Sequence, residues 1–245
     1  MKKLFFFIFI APSCLYANPL NFFVAGGATA ARLKNETALA INNLVTNNYH
    51  TSRESHWQGF WGGGFNQTFS GFLNNVSLSL GLAGYSLSLG KVQGIEYPFV
   101  NEGLFDTLNY RFQVENKLLL VESYLAYSAW NNWQPFLLAG IGKAWNHLYN
   151  YQEYPTHPAS SAATSQLFND NKHQDFSYEL GLGLQYHLLA DKSRKMNYSA
   201  SLGYRYFNLG EGKLGLSNQA ATTLKVRNLY AQSIIFAIHI SFTES

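Results

Sequence analysis

The chain has 245 residues, of which 13% are charged and 16% aromatic, with 20 glycines and a formal net charge of +3. A length of this order suits one all-β barrel and requires no second domain. Charge density is about half the globular norm, yet no internal stretch reaches the roughly 18 consecutive apolar residues of a membrane helix. A near-neutral balance without a basic run offers no electrostatic footprint for nucleic acid.

Residues 1–17 read as an export signal: Lys2 and Lys3 form the charged region, Leu4 to Ala11 the apolar one, and Leu15-Tyr16-Ala17 the cleavage site. Ala11-Pro12-Ser13-Cys14 loosely resembles a lipoprotein box, but its first position lacks the larger aliphatic residue such a box uses. Cleavage after Ala17 leaves residues 18–245 as a single barrel domain without cysteine, which excludes a disulfide framework and a thiol nucleophile. Loss of Lys2 and Lys3 from 17 basic residues leaves 15 against 14 acidic.

Successive side chains of a strand point to opposite faces, so alternation of period two is the signal to follow. A weak strand is predicted at about 20–33, then a clear one from Trp57 to Phe69 and another from Val76, where Leu78, Leu80 and Leu82 alternate with Ser77, Ser79, Gly81 and Ala83. In the segment 107–127, Tyr110, Phe112 and Val114 have one parity and Leu119, Val121 and Leu125 the other, which predicts a β-bulge near Glu115 to Lys117. A further weak strand follows at 134–149. The clearest is 176–188, with Phe176, Tyr178, Leu180, Leu182, Leu184, Tyr186 and Leu188 on one face. Met196 to Tyr206 and Ile234 to Phe242 repeat the pattern. The opposite face is rich in Gly and Ser, as a narrow interior requires.

The connections, at about 34–56, 70–75, 91–106, 128–133, 150–173, 190–195 and 210–223, alternate long and short. Outer-membrane barrels combine short periplasmic turns with long outer loops, and an even strand count leaves both termini periplasmic. An apolar-faced sheet in hydrocarbon must close, because an unpaired edge cannot be hydrated. The prediction is a closed antiparallel transmembrane β-barrel of eight strands, up-and-down, in a Gram-negative outer membrane. One aromatic girdle is expected from Phe69, Phe72, Trp130, Trp133 and Phe242, and the other from Trp57, Tyr110, Tyr149, Phe176, Tyr206 and Tyr230.

Over about residues 20–242 the sequence resembles the small outer-membrane β-barrels of the opacity-protein and OmpA-like kind. The resemblance rests on the export signal, the Gly-interrupted stretches Pro135 to Gly142 and Leu180 to Tyr186, and the apolar last strand. Members of that family usually end on an aromatic residue, whereas this chain continues past Phe242 with Thr243-Glu244-Ser245.

Inward charges are the first candidate site. Glu179 and Arg205 fall on adjacent strands joined by the turn around Lys192, both with inward parity and in register to be opposite or diagonal neighbours. Glu122 also points inward, and a two-residue turn at Asn131-Asn132 would set Lys143 diagonally to it. These four residues are read as a structural polar network filling the lumen.

His239-Ile240-Ser241 resembles the His-x-Ser pair of outer-membrane lipid A deacylases and phospholipases, in which His activates Ser. No asparagine follows Ser241, and the site lies near the periplasmic end. His147, His157 and His173 surround one loop without metal-ligand spacing. No metal, cofactor or catalytic residue is assigned. An eight-stranded interior is just wide enough for side chains to fill it.

The expected role is therefore a non-enzymatic surface or envelope protein in contact with outer-membrane lipid and lipopolysaccharide, its loops meeting a host or cell-surface ligand. A lipid-modifying acyl hydrolase and a narrow channel are the alternatives.

Overall fold

Every regular element in the described residues is a strand, twelve in all: β1 Leu20–Arg32, β2 Glu36–Ala40, β3 Thr46–Thr51, β4 Trp57–Leu73, β5 Val76–Tyr97, β6 Leu108–Tyr127, β7 Trp133–Pro155, β8 Phe168–Asn169, β9 Asn171–Asp191, β10 Met196–Lys213, β11 Gly215–Leu216 and β12 Lys225–Phe242. The computed structural model describes residues 19–32, 36–40, 46–51, 57–73, 75–99, 106–128, 132–157, 164, 166–191, 193–217 and 221–242. The predicted export signal, Cys14, Trp130 and Lys192 lie outside the described residues.

All pairings are antiparallel. They run β5–β4–β1–β12–β10–β9–β7–β6 and return from β6 to β5, so each of these eight strands has a partner on both sides. Leu20 pairs with Phe242, which puts the first and last long strands at one rim. Where eight strands were expected, four short ones add to the eight long ones. The β2–β3 hairpin extends β5 through the pairs Asn48 to Tyr97 and Thr51 to Gly94, and β8 pairs with β11. Both sit in stretches predicted to be loops.

The long strands run well past the 9–11 residues that a tilted strand needs to cross hydrocarbon. In β6, Leu119, Val121 and Leu125 are exposed on the outer face, while Tyr110, Phe112 and Val114 are buried inside. No bulge in β6 itself separates them; the one irregularity of the β6–β7 ladder, between Arg111 and Gln113, places its extra residue on β7. Side chains alternate regularly along β6, and its pairing with β7 is continuous from Gln113 to Ala126. What changes is the environment: the outward face of β6 is polar from Asn109 to Lys117 and carries Leu119, Val121 and Leu125 below that, while the inward face is apolar at Tyr110, Phe112, Val114, Leu118 and Leu120 and turns polar or small from Glu122 down. The bulge lies on the neighbouring strand β5, between Ser88 and Gly90, directly beside Val114 and Glu115. Gly90 has φ +79°, and Gly210, at the corresponding irregularity in β10, has φ +75°; this left-handed geometry costs glycine nothing.

The upper interior is a conventional hydrophobic core, with Phe112, Leu148, Leu209 and Leu229 fully buried. Each such side chain contributes roughly 1.5–3 kcal/mol. Tyr151 and Phe168 belong to this core as well, their rings meeting edge-on at 5.0 Å. The stretch predicted as a free loop at 150–173 is therefore partly strand and partly core.

Candidate functional site

In the lower half of the ring the outward face is apolar, with Val24 73% and Trp61 70% exposed and Leu137, Ile141, Leu180, Leu202 and Phe236 beside them. Inward residues at the same height are Gly, Ser and Ala, buried apolar side chains such as Phe23, Leu120, Phe136, Leu138 and Ile235, and a few large polar groups. A surface that exposes this much apolar area on one continuous band fits lipid, since water-facing patches of such size are rare on soluble monomers.

Within that band, Arg205 of β10 is the centre of a charged cluster. Its Nη1 lies 3.2 Å from Glu122 Oε1 of β6 and 3.2 Å from Glu179 Oε2 of β9. The same nitrogen donates to Tyr85 Oη of β5, which in turn donates to Glu122 Oε1 at 2.5 Å. The guanidinium carbon lies 5.2 Å from the Tyr85 ring centre. The cluster joins four strands across the interior. Glu179 is 1% and Arg205 5% exposed, so each charge depends on its partners to offset desolvation.

Two glycines make room for it. Arg205 is the register partner of Gly181, and Glu179 that of Gly140. Glu179 and Arg205 are thus diagonal neighbours. Glu122 also faces Gly140, from the other side of β7.

Lys143 is not part of the cluster. It is exposed on the outer face, with Leu119 and Phe176 as register partners. The expectation of an inward Lys143 assumed a two-residue turn at Asn131-Asn132. Instead β6 ends at Tyr127 and β7 begins at Trp133, five residues lying between, and Glu122 pairs with Gly140 rather than with residue 141. A one-residue change of register moves every side chain of a strand to the other face. Conversely, Tyr85 was legible only as interior bulk, because nothing local shows where its hydroxyl goes. Tyr110, expected in the upper girdle, is fully buried. Trp57 and Phe176 are exposed on the outer wall as expected.

Above the cluster Phe207 seals the interior, its ring 5.5 Å from Tyr85 and 6.4 Å from Phe60. Below it lies a polar cavity of about 210 Å³, lined by Asn21, Asn66, Gln134, Gln185 and His239 among others. His239 Nε2 lies 2.8 Å from Ser201 Oγ on the neighbouring strand, and its ring packs 5.7 Å from Phe23. The hydroxyl in contact is therefore Ser201, not the sequence neighbour Ser241. No described carboxylate hydrogen-bonds the other ring nitrogen, so a third group that would orient the imidazole as a base is not among the described residues. Nor do three His, Cys, Asp or Glu side chains converge as a metal site among them.

An antiparallel ring with a lipid-type outer wall and an interior filled by side chains, with buried charges in its lower half, has the character of an outer-membrane β-barrel. No family model matches the chain, and no curated protein matches it significantly. Among solved structures it is similar to Neisserial surface protein A, at 11% identity and a TM-score of 0.39 over 90% of this chain and 97% of that one. OprG from Pseudomonas aeruginosa gives 13% and 0.37 over 91% and 96%. AlkL in lipid bilayers gives 11% and 0.39 over 100% and 98%. At such scores the architecture rests on the strand pairings alone.

Proposed function

We propose that the eight long strands form a closed barrel spanning a Gram-negative outer membrane, with both termini periplasmic and the connections opposite them displayed outside. The observation that carries this reading is the change of the outward face along β6, polar from Asn109 to Lys117 and apolar at Leu119, Val121 and Leu125. Leu119, Val121 and Leu125 suit hydrocarbon, whereas Tyr110, Phe112 and Val114 form a water-shielded core above it. The protein acts as a non-enzymatic surface protein whose outer end engages lipid, another cell or a host. The cluster around Arg205, capped by Phe207, closes the lumen to general diffusion.

A second reading, a narrow conduit, is favoured by the polar cavity that leads from the periplasmic rim toward the cluster. Conductance of the refolded protein in a planar bilayer separates the two. A closed lumen gives a silent parent protein, and Arg205→Ala stays silent as well, because Phe207 and the hydrophobic core above it still fill the interior. Steady current through the parent would establish the conduit. A chain recovered from the soluble periplasm, without a heat-modifiable band in the outer-membrane fraction, would overturn the membrane reading itself.

A further inference from the structure

The outer wall is chemically uneven at the top of its apolar band. Lys117 stands ten residues above Tyr127 on β6, and Lys143 ten above Trp133 on β7. At a rise of about 3.3 Å per residue and a tilt near 45° both stand roughly 23 Å above the lower rim, at the upper edge of a band about 25 Å tall. Ten residues up from the lower ends of β1, β5, β10 and β12 the outward positions are Ala30, Ser86, Tyr206 and Gln232, and at the same count on β4 and β9 they are Gly63 and, flanking the inward Gly181, Leu180 and Leu182, all uncharged. The two cations thus share one level on adjacent strands.

Lys117 pairs with Trp145 in the ladder and Leu119 with Lys143, which makes the lysines diagonal neighbours on one face, about 7–8 Å apart. Both are exposed, and neither has a described carboxylate within salt-bridge distance. The nearest acid on that face of β6, Glu115, accepts a hydrogen bond from Tyr149 Oη at 2.7 Å. Two neighbouring ammonium groups repel, and an anion between them relieves this.

Below the lysines is an apolar depression. Ala139, four residues beneath Lys143 on the same strand, forms its floor between Leu125, Leu137, Leu180 and Leu182, with Tyr204 closing one side. A small residue among large ones leaves this apolar depression, and the exposed Val121 and Ile141 stand between it and the lysines, so a chain descending from the lysines crosses these two side chains to reach it.

We propose that this face binds one molecule of a phosphorylated glycolipid of the lipid A type. Its phosphate monoester lies between Lys117 and Lys143, and an acyl chain occupies the groove over Ala139. A monoester carries close to two negative charges and so matches two lysines, and the level of the pair is that of the outer-leaflet headgroups. The proposal rests on the membrane reading above and deepens it by naming a lipid partner.

Native mass spectrometry of the full-length folded protein, released from neutral detergent after titration with lipid A, tests it. One lipid A is expected to bind, weakened roughly fivefold by either Lys→Gln change and roughly thirtyfold by K117Q/K143Q. Ala139→Leu is expected to weaken binding with both lysines in place, and K91Q/K172Q, at outward cations higher on the wall, to leave it unchanged. Dephosphorylated lipid A or phosphatidylglycerol binding as tightly as lipid A would overturn the proposal. Parent-like binding by K117Q/K143Q would do the same. Heat-modifiability on a gel is read on every sample: its loss in the parent removes the membrane reading, whereas its retention with unchanged lipid binding removes only the lipid site.

Discussion

Glu179 and Gly140 face each other across the β9–β7 ladder, and a Cβ at position 140 would come within 2.7 Å of Glu179 Oε1 and 2.9 Å of its Cγ. The small residue holds the carboxylate in line with Arg205. Gly140→Ala is therefore expected to push Glu179 off the guanidinium and to cost about 1–3 kcal/mol. Urea unfolding of the refolded barrel in lipid vesicles measures it, and an unchanged midpoint would show that the Glu179 side chain has other room.

The three charges of the cluster are unequal. Removing Glu179 leaves Arg205 paired with Glu122, whereas removing Arg205 leaves two buried carboxylates facing each other. Arg205→Gln is expected to be the more damaging, at roughly 3–5 kcal/mol in a dry site and less in a wet one. The double change Glu179→Gln/Arg205→Gln should cost less than the sum of the singles. A double-mutant cycle read by unfolding decides this, and strict additivity would mean that the two groups do not interact.

Above the membrane, the β2–β3 hairpin is held to β5 by Glu96, whose Oε1 accepts from Asn47 Nδ2 at 2.6 Å and from Tyr49 Oη at 2.9 Å. Burial, and then the neighbouring Glu153 carboxylate, push the Glu96 carboxyl up from 4.5 to about 8. A raised carboxyl favours the protonated, docked state. Docking is thus strongest below about pH 4.5 and weakens as pH rises toward about 8. Hydrogen exchange of residues 46–51 should speed up over that window, and Glu96→Gln should flatten the dependence. Exchange that slows with rising pH, after correction for intrinsic rates, would contradict the assignment.

Phe168 packs edge-on against Tyr151 at 5.0 Å and against Tyr49 at 5.9 Å. It ties β8 to β7 and to the hairpin. Phe168→Ala is expected to cost about 3–5 kcal/mol in this upper core. Limited proteolysis should then cut within β3 and β8 while the membrane band stays protected, because the two halves of the strands are stabilised by different surroundings.

The eight long strands and the chemistry of their faces were legible in the sequence, because alternation is a local property that each strand carries by itself. The Glu179–Arg205 pair was legible for the same reason, since a short turn joins its two strands and limits their register. Parity could not reveal that Tyr110, Phe112 and Val114 continue β6 without a bulge: the same switch of apolar face arises when a strand leaves lipid for a protein core. Nor could it place Lys143, whose face depends on the number of residues between β6 and β7. Only the tertiary structure brought Glu122 and Tyr85 to Arg205 and set Ser201 against His239. Contacts across the interior follow from how the ring of strands returns from β6 to β5, and nothing in a single strand encodes which side chains will meet there.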